Sequence, residues 1–142
     1  NRAGIPCVSA WTALREALEG LKIERFGVGT PYPADIHELV PDYFTDKGYV
    51  ITADDTLDVL SMSEVAKVKS ELIFRVARSI SLAPAEAVVL LATDLHTFDI
   101  LDEMENELGI PVLSSNQTIL WAALKTVGYS AATHGPGRLL SQ

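Results

Sequence analysis

The chain has 142 residues, of which 48% are hydrophobic and 21% charged, so it holds enough apolar material for one domain's core and is not disordered. Its formal charge of −8 and the lack of a basic cluster argue against a surface that tracks nucleic acid phosphates. No apolar run approaches the roughly 18 residues of a membrane span, and no signal segment opens the sequence. We therefore expect neither a nucleic acid nor a membrane partner, but a small molecule.

Cysteine usage indicates the compartment. Cys7 is the single cysteine, which excludes an intramolecular disulfide framework and a cysteine-rich metal site. We therefore predict a reducing compartment, the cytoplasm. Because Cys7 lies in an apolar segment, we expect it within or at the end of a strand, as a small core residue rather than a nucleophile. The sequence opens without Met, and we expect it to begin partway through a longer gene product.

The first predicted elements in chain order are a strand, a helix and a second strand. Arg25–Thr30 is a short apolar run closed by turn residues, which predicts a strand. Residues 33–44 predict a helix with apolar side chains at helical intervals: Ile36, Leu39, Val40, Tyr43 and Phe44. Gly48 is a typical glycine at a helix end, residues 49–51 predict the second strand, and residues 52–63 predict a polar connection.

The alternation of helix and strand continues to the end of the chain. Residues 70–80 predict a helix capped by Ser70, with an apolar stripe formed by Leu72, Ile73, Val76, Ala77 and Ile80. Residues 87–92 are continuously apolar, which is typical of a central strand covered on both faces. A helix, a fourth strand and a last helix follow at residues 97–108, 110–113 and 116–126. This order predicts a parallel sheet in a three-layer α/β fold.

The chain also contains a faint internal repeat. Gly-Ile-Pro-Cys-Val-Ser at residues 4–9 matches Gly-Ile-Pro-Val-Leu-Ser at residues 109–114, and Trp11 and Trp121 lie on the helices that follow. Two similar joints between strand and helix can also arise independently, so a duplication and a coincidence both remain open.

A duplication would divide the chain between two halves. Residues 1–21 would be the end of an absent first half-domain, residues 22–115 the second half-domain, and residues 116–142 a terminal helix and tail packing towards the first half. The helices near residues 9–20 and 116–127 would then lie at the edge where the partner half packs.

In an open parallel sheet, ligands bind beyond the carboxyl ends of the strands. The first loop at that edge is Gly-Thr-Pro-Tyr-Pro, residues 29–33. Thr30 and the N–H groups that open the next helix are expected to form an anion site, and Tyr32 to donate its hydroxyl to a carboxylate. The alternative is a turn stiffened by proline, with Tyr32 covering apolar surface.

The second loop, residues 92–97, and the third loop, residues 114–117, are also polar. Thr93 and Thr97 are expected to cap the following helix and Asp94 to accept its N–H groups, which requires no ligand. Asp94 and His96 have a spacing seen in metal sites, but one carboxylate and one imidazole are too few ligands, so we expect no metal. The third loop, residues 114–117, is interpreted as a helix cap.

These residues alone define no catalytic set. The sequence contains no Ser–His pairing signature, no Gly-x-Gly-x-x-Gly and no P-loop. Trp11 and Trp121 are interpreted as packing anchors. His37 and His134 have no partner that the sequence identifies.

Taken together, the motifs resemble a known family. Gly-Thr-Pro-Tyr after a strand, an apolar strand with a threonine turn, and Leu-Gly-Ile-Pro-Val-Leu-Ser-Ser-Asn-Gln before a helix with Trp121 are similar to the C-terminal part of the maleate isomerase and arylmalonate decarboxylase family. Gly-Arg-Leu-Leu at residues 137–140 extends the match. The family belongs to the aspartate/glutamate racemase superfamily. The resemblance implies two flavodoxin-like halves with the active site between them, and no cofactor or metal.

The resemblance also assigns roles to residues. Tyr32 matches a tyrosine that hydrogen-bonds a substrate carboxylate. Thr30 matches the residue at the carboxyl end of the strand that precedes this tyrosine. Thr93 and Asp94 match the turn whose N–H groups hold a carboxylate or enolate-like oxygen. Ala92 matches the family's second catalytic cysteine, whose thiol moves a proton beside a carboxylate, which a methyl group cannot do.

The resemblance implies a cofactor-independent isomerase, racemase or decarboxylase of a small carboxylate or dicarboxylate, impaired at Ala92. Three explanations of Ala92 stay open: an engineered substitution, a relative working from its first half alone, or a relative that binds without turnover. The alternative function is a carboxylate-binding module of the same fold. The sequence leaves open whether the protein is a homo-oligomer.

Overall fold

The computed structural model describes residues 4–82, 84–129 and 135–141. His134, which the sequence left without a partner, lies outside these residues. The helices and strands in chain order are α1 Ala10–Leu21, β1 Arg25–Thr30, α2 Ala34–His37, α3 Leu39–Thr45, β2 Val50–Thr56, α4 Met62–Val65, α5 Ser70–Ile80, β3 Ala87–Leu90, α6 Leu101–Leu108 preceded by a 3₁₀ turn at Phe98–Ile100, β4 Val112–Ser114 and α7 Ser115–Thr126.

The four strands form one parallel sheet in the order β2-β1-β3-β4. β3 pairs with strands on both sides and is buried at every residue, as its continuous apolar sequence predicts. The predicted parallel α/β fold is confirmed. Among the described residues, no helix has both the length and the apolar character that crossing a membrane requires.

Helices cover both faces of the sheet and make three layers. One face packs against α5 and α6, with Ile73, Ile80, Leu101 and Met104 in its core. The other face packs against α1, with Leu14, Leu18, Phe26, Phe44 and Leu113 in its core. On that side the Trp11 ring lies 5.2 Å from the Tyr43 ring and 5.8 Å from the Phe44 ring, which supports its interpretation as a packing anchor.

The prediction for Cys7 is wrong. Residues 4–9 form no strand, and Cys7 is exposed. Ser9 instead caps α1, accepting from the Thr12 N–H at 3.1 Å. An apolar segment becomes a strand only when it pairs with a neighbouring strand, and residues 4–9 pair with none of the four strands of this sheet.

The position of the terminal helices where a partner half packs stays a prediction, and α1 itself packs on a face of the sheet. Leu14, Ala17 and Leu18 are core residues of the described domain, packed on the sheet face rather than at its edge. α7 lies beside α1, and Lys125 pairs with Glu16 at 3.3 Å. The division of the chain between two halves stays a prediction.

Several predicted helices and strands have different bounds. The helix at residues 33–44 is two helices, because Pro41 lacks the N–H that a continuous helix would bond to the His37 carbonyl, whereas a proline in the first turn of α3 needs no partner. β2 extends through Thr56 into the predicted connection, and α4 follows it. Ser70 is the first residue of α5, and Lys69 rather than Ser70 holds the cap position.

The C-terminal segment, residues 135–141, docks on α6 and α7. Gly137 N–H donates to Asp102 at 2.7 Å, and Arg138 N–H donates to Glu105 Oε2 at 2.8 Å. The other oxygen of Glu105 accepts from Val112 N–H at 2.9 Å, so this carboxylate ties the tail to the start of β4. Leu139 and Leu140 are buried. The tail is therefore part of the fold.

Candidate active site

The three polar loops meet at one edge of the sheet. β1 and β3 pair side by side through Gly29 and Leu90, so the loops that follow them begin next to one another. β4 adds a third loop after Ser114, and Asn116 Nδ2 donates to the Thr93 carbonyl at 2.9 Å. The carboxyl ends of these strands therefore define a common site, which is where ligands bind in open parallel sheets.

The backbone of Tyr32 is held on both sides by threonine hydroxyls. Its N–H donates to Thr30 Oγ1 at 3.2 Å, and its carbonyl accepts from the Thr56 hydroxyl. Pro31 and Pro33 flank Tyr32 and have no N–H, so Tyr32 carries the one backbone donor of residues 31–33. Its backbone position is consequently set by two strand ends, β1 and β2.

The Tyr32 side chain is half-buried, and burial raises the pKa of its phenol, with a smaller contribution from the negative charge of Asp94. A raised pKa keeps the hydroxyl protonated and able to donate a hydrogen bond. The contribution of Asp94 also places the turn after β3 within electrostatic reach of Tyr32.

Thr30 lies beneath the site. It is 1% exposed, and its hydroxyl contacts His37 Nδ1 at 2.9 Å in addition to Tyr32 N–H. The hydroxyl thus already has internal partners, and a direct contact between Thr30 and a ligand stays a prediction. Its observed role is to support the Tyr32 loop.

Two of the N–H groups that open α2, where an anion site was expected, already have partners within the protein. Ala34 N–H donates to Asp58 Oδ1 at 2.9 Å, and Ile36 N–H donates to Asp35 Oδ1 at 3.0 Å and to Pro33 O at 3.0 Å. These donors are satisfied by side chains and backbone of the protein, and α2 is a single turn.

Ala92 lies two residues after β3, in a backbone conformation that is rare for alanine. Its φ is +91°, in the region that favours glycine, and it is 8% exposed. Such backbone strain costs about 1–3 kcal/mol and is often found at functional sites. The side chain of Ala92 is a methyl group, which can neither donate nor accept a proton.

The turn after Ala92 does not form the predicted helix cap. Thr97 precedes the 3₁₀ turn, but its side chain makes no capping bond, and its buried hydroxyl has no partner among the residues that the structure describes. Helical structure begins only at Phe98, so no helix N-terminus lies directly after Ala92. In the described part of the chain, the N–H groups of Thr93 and Asp94 have no protein partner. The third loop does form a cap, since Ser114 accepts from Gln117 N–H at 3.3 Å.

An apolar cavity of about 400 Å³ flanks the site. Tyr32, Leu91 and Ser115 form its border with the three loops, and Trp11, Ile36 and Leu39 form part of its apolar wall. Residues 4–82, 84–129 and 135–141 contain no group of three His, Cys, Asp or Glu side chains suited to a metal ion. The polar groups of the site therefore lie beside apolar surface.

Two residues below this site, His37 and Asp54, were not predicted from the sequence as part of it. His37 Nε2 lies 3.1 Å from Asp54 Oδ2, and the ring is 5% exposed. For His37, the sequence feature that could have indicated the contact is its spacing of seven residues from Thr30. The structure places this histidine at the end of a one-turn helix. Asp54 gave no signal, because it lies on the part of β2 that was predicted as a connection.

Comparison with known proteins shows the family of the chain. The family model for arylmalonate decarboxylase matches residues 1–140, and the chain belongs to that family. The arylmalonate decarboxylase of Bordetella bronchiseptica is 30% identical over 98% of this chain and 59% of its own length. The resemblance drawn from the motifs is thereby confirmed.

Two solved structures share the fold closely. A cysteine-to-serine variant of the Nocardia farcinica maleate cis-trans isomerase, with a covalently bound succinylcysteine intermediate, matches with a TM-score of 0.89 and 32% identity over 94% of this chain and 55% of that chain. A cysteine-to-alanine variant of the maleate isomerase from Pseudomonas putida S16, solved with maleate, matches with a TM-score of 0.91 and 25% identity over 99% of this chain and 57% of that chain. The chain thus spans little more than half the length of its relatives.

Proposed function

We propose that the protein is a cofactor-independent isomerase, racemase or decarboxylase of a small carboxylate or dicarboxylate. The observation that carries the proposal is the adjacency of the Tyr32 loop and the turn at residues 92–94, at the ends of two paired strands. Membership of the arylmalonate decarboxylase family and similarity to maleate isomerases support this class of reaction.

Recognition in this proposal uses donors from both loops. The Tyr32 hydroxyl donates to one substrate carboxylate, and its raised pKa keeps that proton in place at neutral pH. The N–H groups of Thr93 and Asp94, which have no protein partner in the described structure, bind a second carboxylate or the enolate-like oxygen. Hydrogen bonds between such donors and an anion are charge-assisted.

Chemistry in this proposal depends on position 92. A thiol there would exchange a proton at the carbon beside the carboxylate, or add to an alkene and allow rotation about the former double bond. Ala92 provides neither route, so we expect binding to survive while turnover is lost or severely slowed. The maleate-bound relative with alanine in place of a cysteine supports this separation of binding from chemistry.

A specific observation favours a second candidate, a carboxylate-binding module without catalysis. Ala92, two residues after β3, has no thiol, and Cys7, the one thiol of the chain, lies before α1 and outside the three loops. Both candidates share the same site and differ in whether any thiol reaches it.

The whole protein enters the proposal as well. We propose that a further half-domain completes the cleft, since the chain spans 55% to 59% of the relatives it matches, and we retain the cytoplasm as its compartment.

The test uses the full-length protein that carries this chain. Calorimetric titration with malonate and maleate measures binding, and steady-state assays with maleate and phenylmalonate measure turnover. Binding with slow or no turnover supports an impaired enzyme or the binding module, and replacing Ala92 by Cys separates the two. Failure to bind either dicarboxylate, in a protein that is folded by circular dichroism, would refute both candidates.

A further inference from the structure

We propose that His37 and Asp54 are positioning residues, which orient Tyr32 through the hydroxyl of Thr30. The proposal rests on the proposed function, because the consequence of this orientation is carboxylate binding by Tyr32. It adds two residues that neither the motifs nor the strand-end loops contain.

The four residues form a continuous chain of hydrogen bonds across three elements. Asp54 on β2 contacts His37 Nε2 at 3.1 Å, and His37 at the end of α2 contacts Thr30 Oγ1 through Nδ1 at 2.9 Å. Thr30, the last residue of β1, accepts from Tyr32 N–H at 3.2 Å. The exposed fraction is 5% for His37 and 1% for Thr30, while the Asp54 side chain is half-exposed.

The donors and acceptors available at each residue determine the direction of every hydrogen bond in this series. The Asp54 carboxylate can only accept, so Nε2 of His37 carries the proton. In the neutral ring Nδ1 is then an acceptor and takes the proton of the Thr30 hydroxyl. Thr56 Oγ1 is a weaker alternative for that proton, because it lies 3.5 Å from Thr30 Oγ1 against 2.9 Å for Nδ1. The Thr30 oxygen keeps its lone pairs towards Tyr32 N–H.

The neighbouring prolines explain why Tyr32 needs this support. Pro31 and Pro33 have no N–H, so the N–H of Tyr32 is the one backbone donor that can hold this part of the loop. The carbonyls of Pro31 and Tyr32 accept from Val59 N–H at 2.9 Å and from the Thr56 hydroxyl. A hydroxyl whose proton is held by His37 presents a fixed acceptor, whereas a free threonine rotor does not. Removing His37 should therefore loosen the peptide that carries the carboxylate-binding side chain.

The test compares four variants of the full-length protein. His37→Leu removes both ring nitrogens, while His37→Asn keeps an acceptor near Nδ1 and loses the contact with Asp54. Asp54→Ala removes the carboxylate that fixes the tautomer. Asp46→Asn, an exposed carboxylate at the end of α3, is the matched control.

The ligand-free protein gives the first result. Nitrogen NMR of the imidazole at mildly alkaline pH, where an ordinary histidine is neutral, should show Nε2 protonated and Nδ1 bare. Amide exchange at Tyr32 should be faster in His37→Leu and in Asp54→Ala, partly restored in His37→Asn, and unchanged in Asp46→Asn. A proton on Nδ1, or unchanged Tyr32 exchange in His37→Leu, would overturn the proposal.

Malonate binding gives the second result. Losing one neutral hydrogen bond of support should weaken binding by about two- to tenfold in His37→Leu. In a Tyr32→Phe background the same substitution should have no further effect, because His37 acts through Tyr32. An equal effect in both backgrounds would assign His37 to general stability and refute the positioning role. If the unaltered protein binds no malonate, the proposed function fails, while the NMR and exchange results still decide whether the hydrogen-bonded chain holds Tyr32.

Discussion

A β-carbon added to Gly27 would lie 2.0 Å from the carbonyl oxygen of Ile80, because β1 passes directly under the last turn of α5. Backbone cannot yield as a flexible side chain does, so Gly27→Ala should lower the free energy of unfolding by at least about 3 kcal/mol. Urea denaturation measures the change. Gly20→Ala is the control: its β-carbon meets open space on α1, and helix propensity should raise stability by about 0.5–1 kcal/mol. Equal effects of the two substitutions would contradict the close packing of β1 and α5.

Tyr32→Phe removes the hydroxyl that we assign to a substrate carboxylate. The affinity for malonate should fall by about 1.5–3 kcal/mol, the range of a charge-assisted hydrogen bond. Calorimetric titration measures it, and Tyr129→Phe, at an exposed tyrosine after α7, serves as the control. Unchanged affinity in Tyr32→Phe would show that this ring only covers apolar surface.

Ala92→Cys introduces a thiol at the end of β3. The N–H groups of Thr93 and Asp94, which have no partner among the described residues, should favour its thiolate, and turnover of maleate or phenylmalonate should rise above that of the unaltered protein. The measurement is steady-state conversion by both versions of the full-length protein. Equal, measurable activity of the two would show that position 92 carries no chemistry, and no activity in either would favour the binding module.

Asp94→Asn tests the electrostatics of the site. Since the Asp94 charge contributes to the raised pKa of Tyr32, its removal should lower that pKa, and burial should still hold it above the ordinary value. The same change removes a negative charge beside an anionic ligand, so malonate should bind tighter by about 0.2–1 kcal/mol. Ultraviolet titration of the phenol and calorimetry measure the two effects, with Asp99→Asn as the control. If neither value moves, Asp94 does not act on the site.

Glu105→Gln tests the carboxylate that ties the tail to β4. Both of its oxygens accept backbone N–H groups, and an amide nitrogen cannot accept, so the free energy of unfolding should fall by about 1–3 kcal/mol. Burial raises the pKa of Glu105 above its ordinary 4.5, outweighing the two N–H donors and Arg138. A raised folded-state pKa means stability that is fully present below 4.5 and lost as the pH rises through the folded-state value.

The pH dependence therefore gives Glu105 a separate signature. As the pH falls from neutral towards 4.5, the stability gap between the unaltered protein and Glu105→Gln should widen, since only the former gains from protonation of this group. Denaturation at several pH values measures the gap, and Glu103→Gln, on the exposed side of α6, should show no such trend. A gap that narrows with acidity would contradict the sign of the shift.

Features that depend on neighbouring residues in the sequence could be predicted, whereas features that depend on residues far apart in the chain could not. β1 was predicted to the residue, because an apolar run closed by turn residues is a local pattern. The proline in the first turn of α3 was an equally local signal for the break in the helix at residues 33–44. Residues 4–9 have the same apolar pattern as a strand, yet whether they pair depends on a neighbour elsewhere in the chain.

The site follows the same division. Tyr32 and the turn at residues 92–94 follow from the rule that ligands bind at the carboxyl ends of parallel strands. The contact between His37 and Asp54 depends on the register that sets Asp54 opposite Val28, and on a helix that ends at His37. No local pattern in the sequence encodes that register.

The contacts of the C-terminal segment, residues 135–141, determine which truncations and tags the folded protein tolerates. A version ending before Arg138 would lose the N–H donor of one Glu105 oxygen and uncover the apolar surface that Leu139 and Leu140 fill. It should be prone to aggregate during purification. A tag placed after residue 142 instead leaves these contacts intact, because Ser141 is exposed.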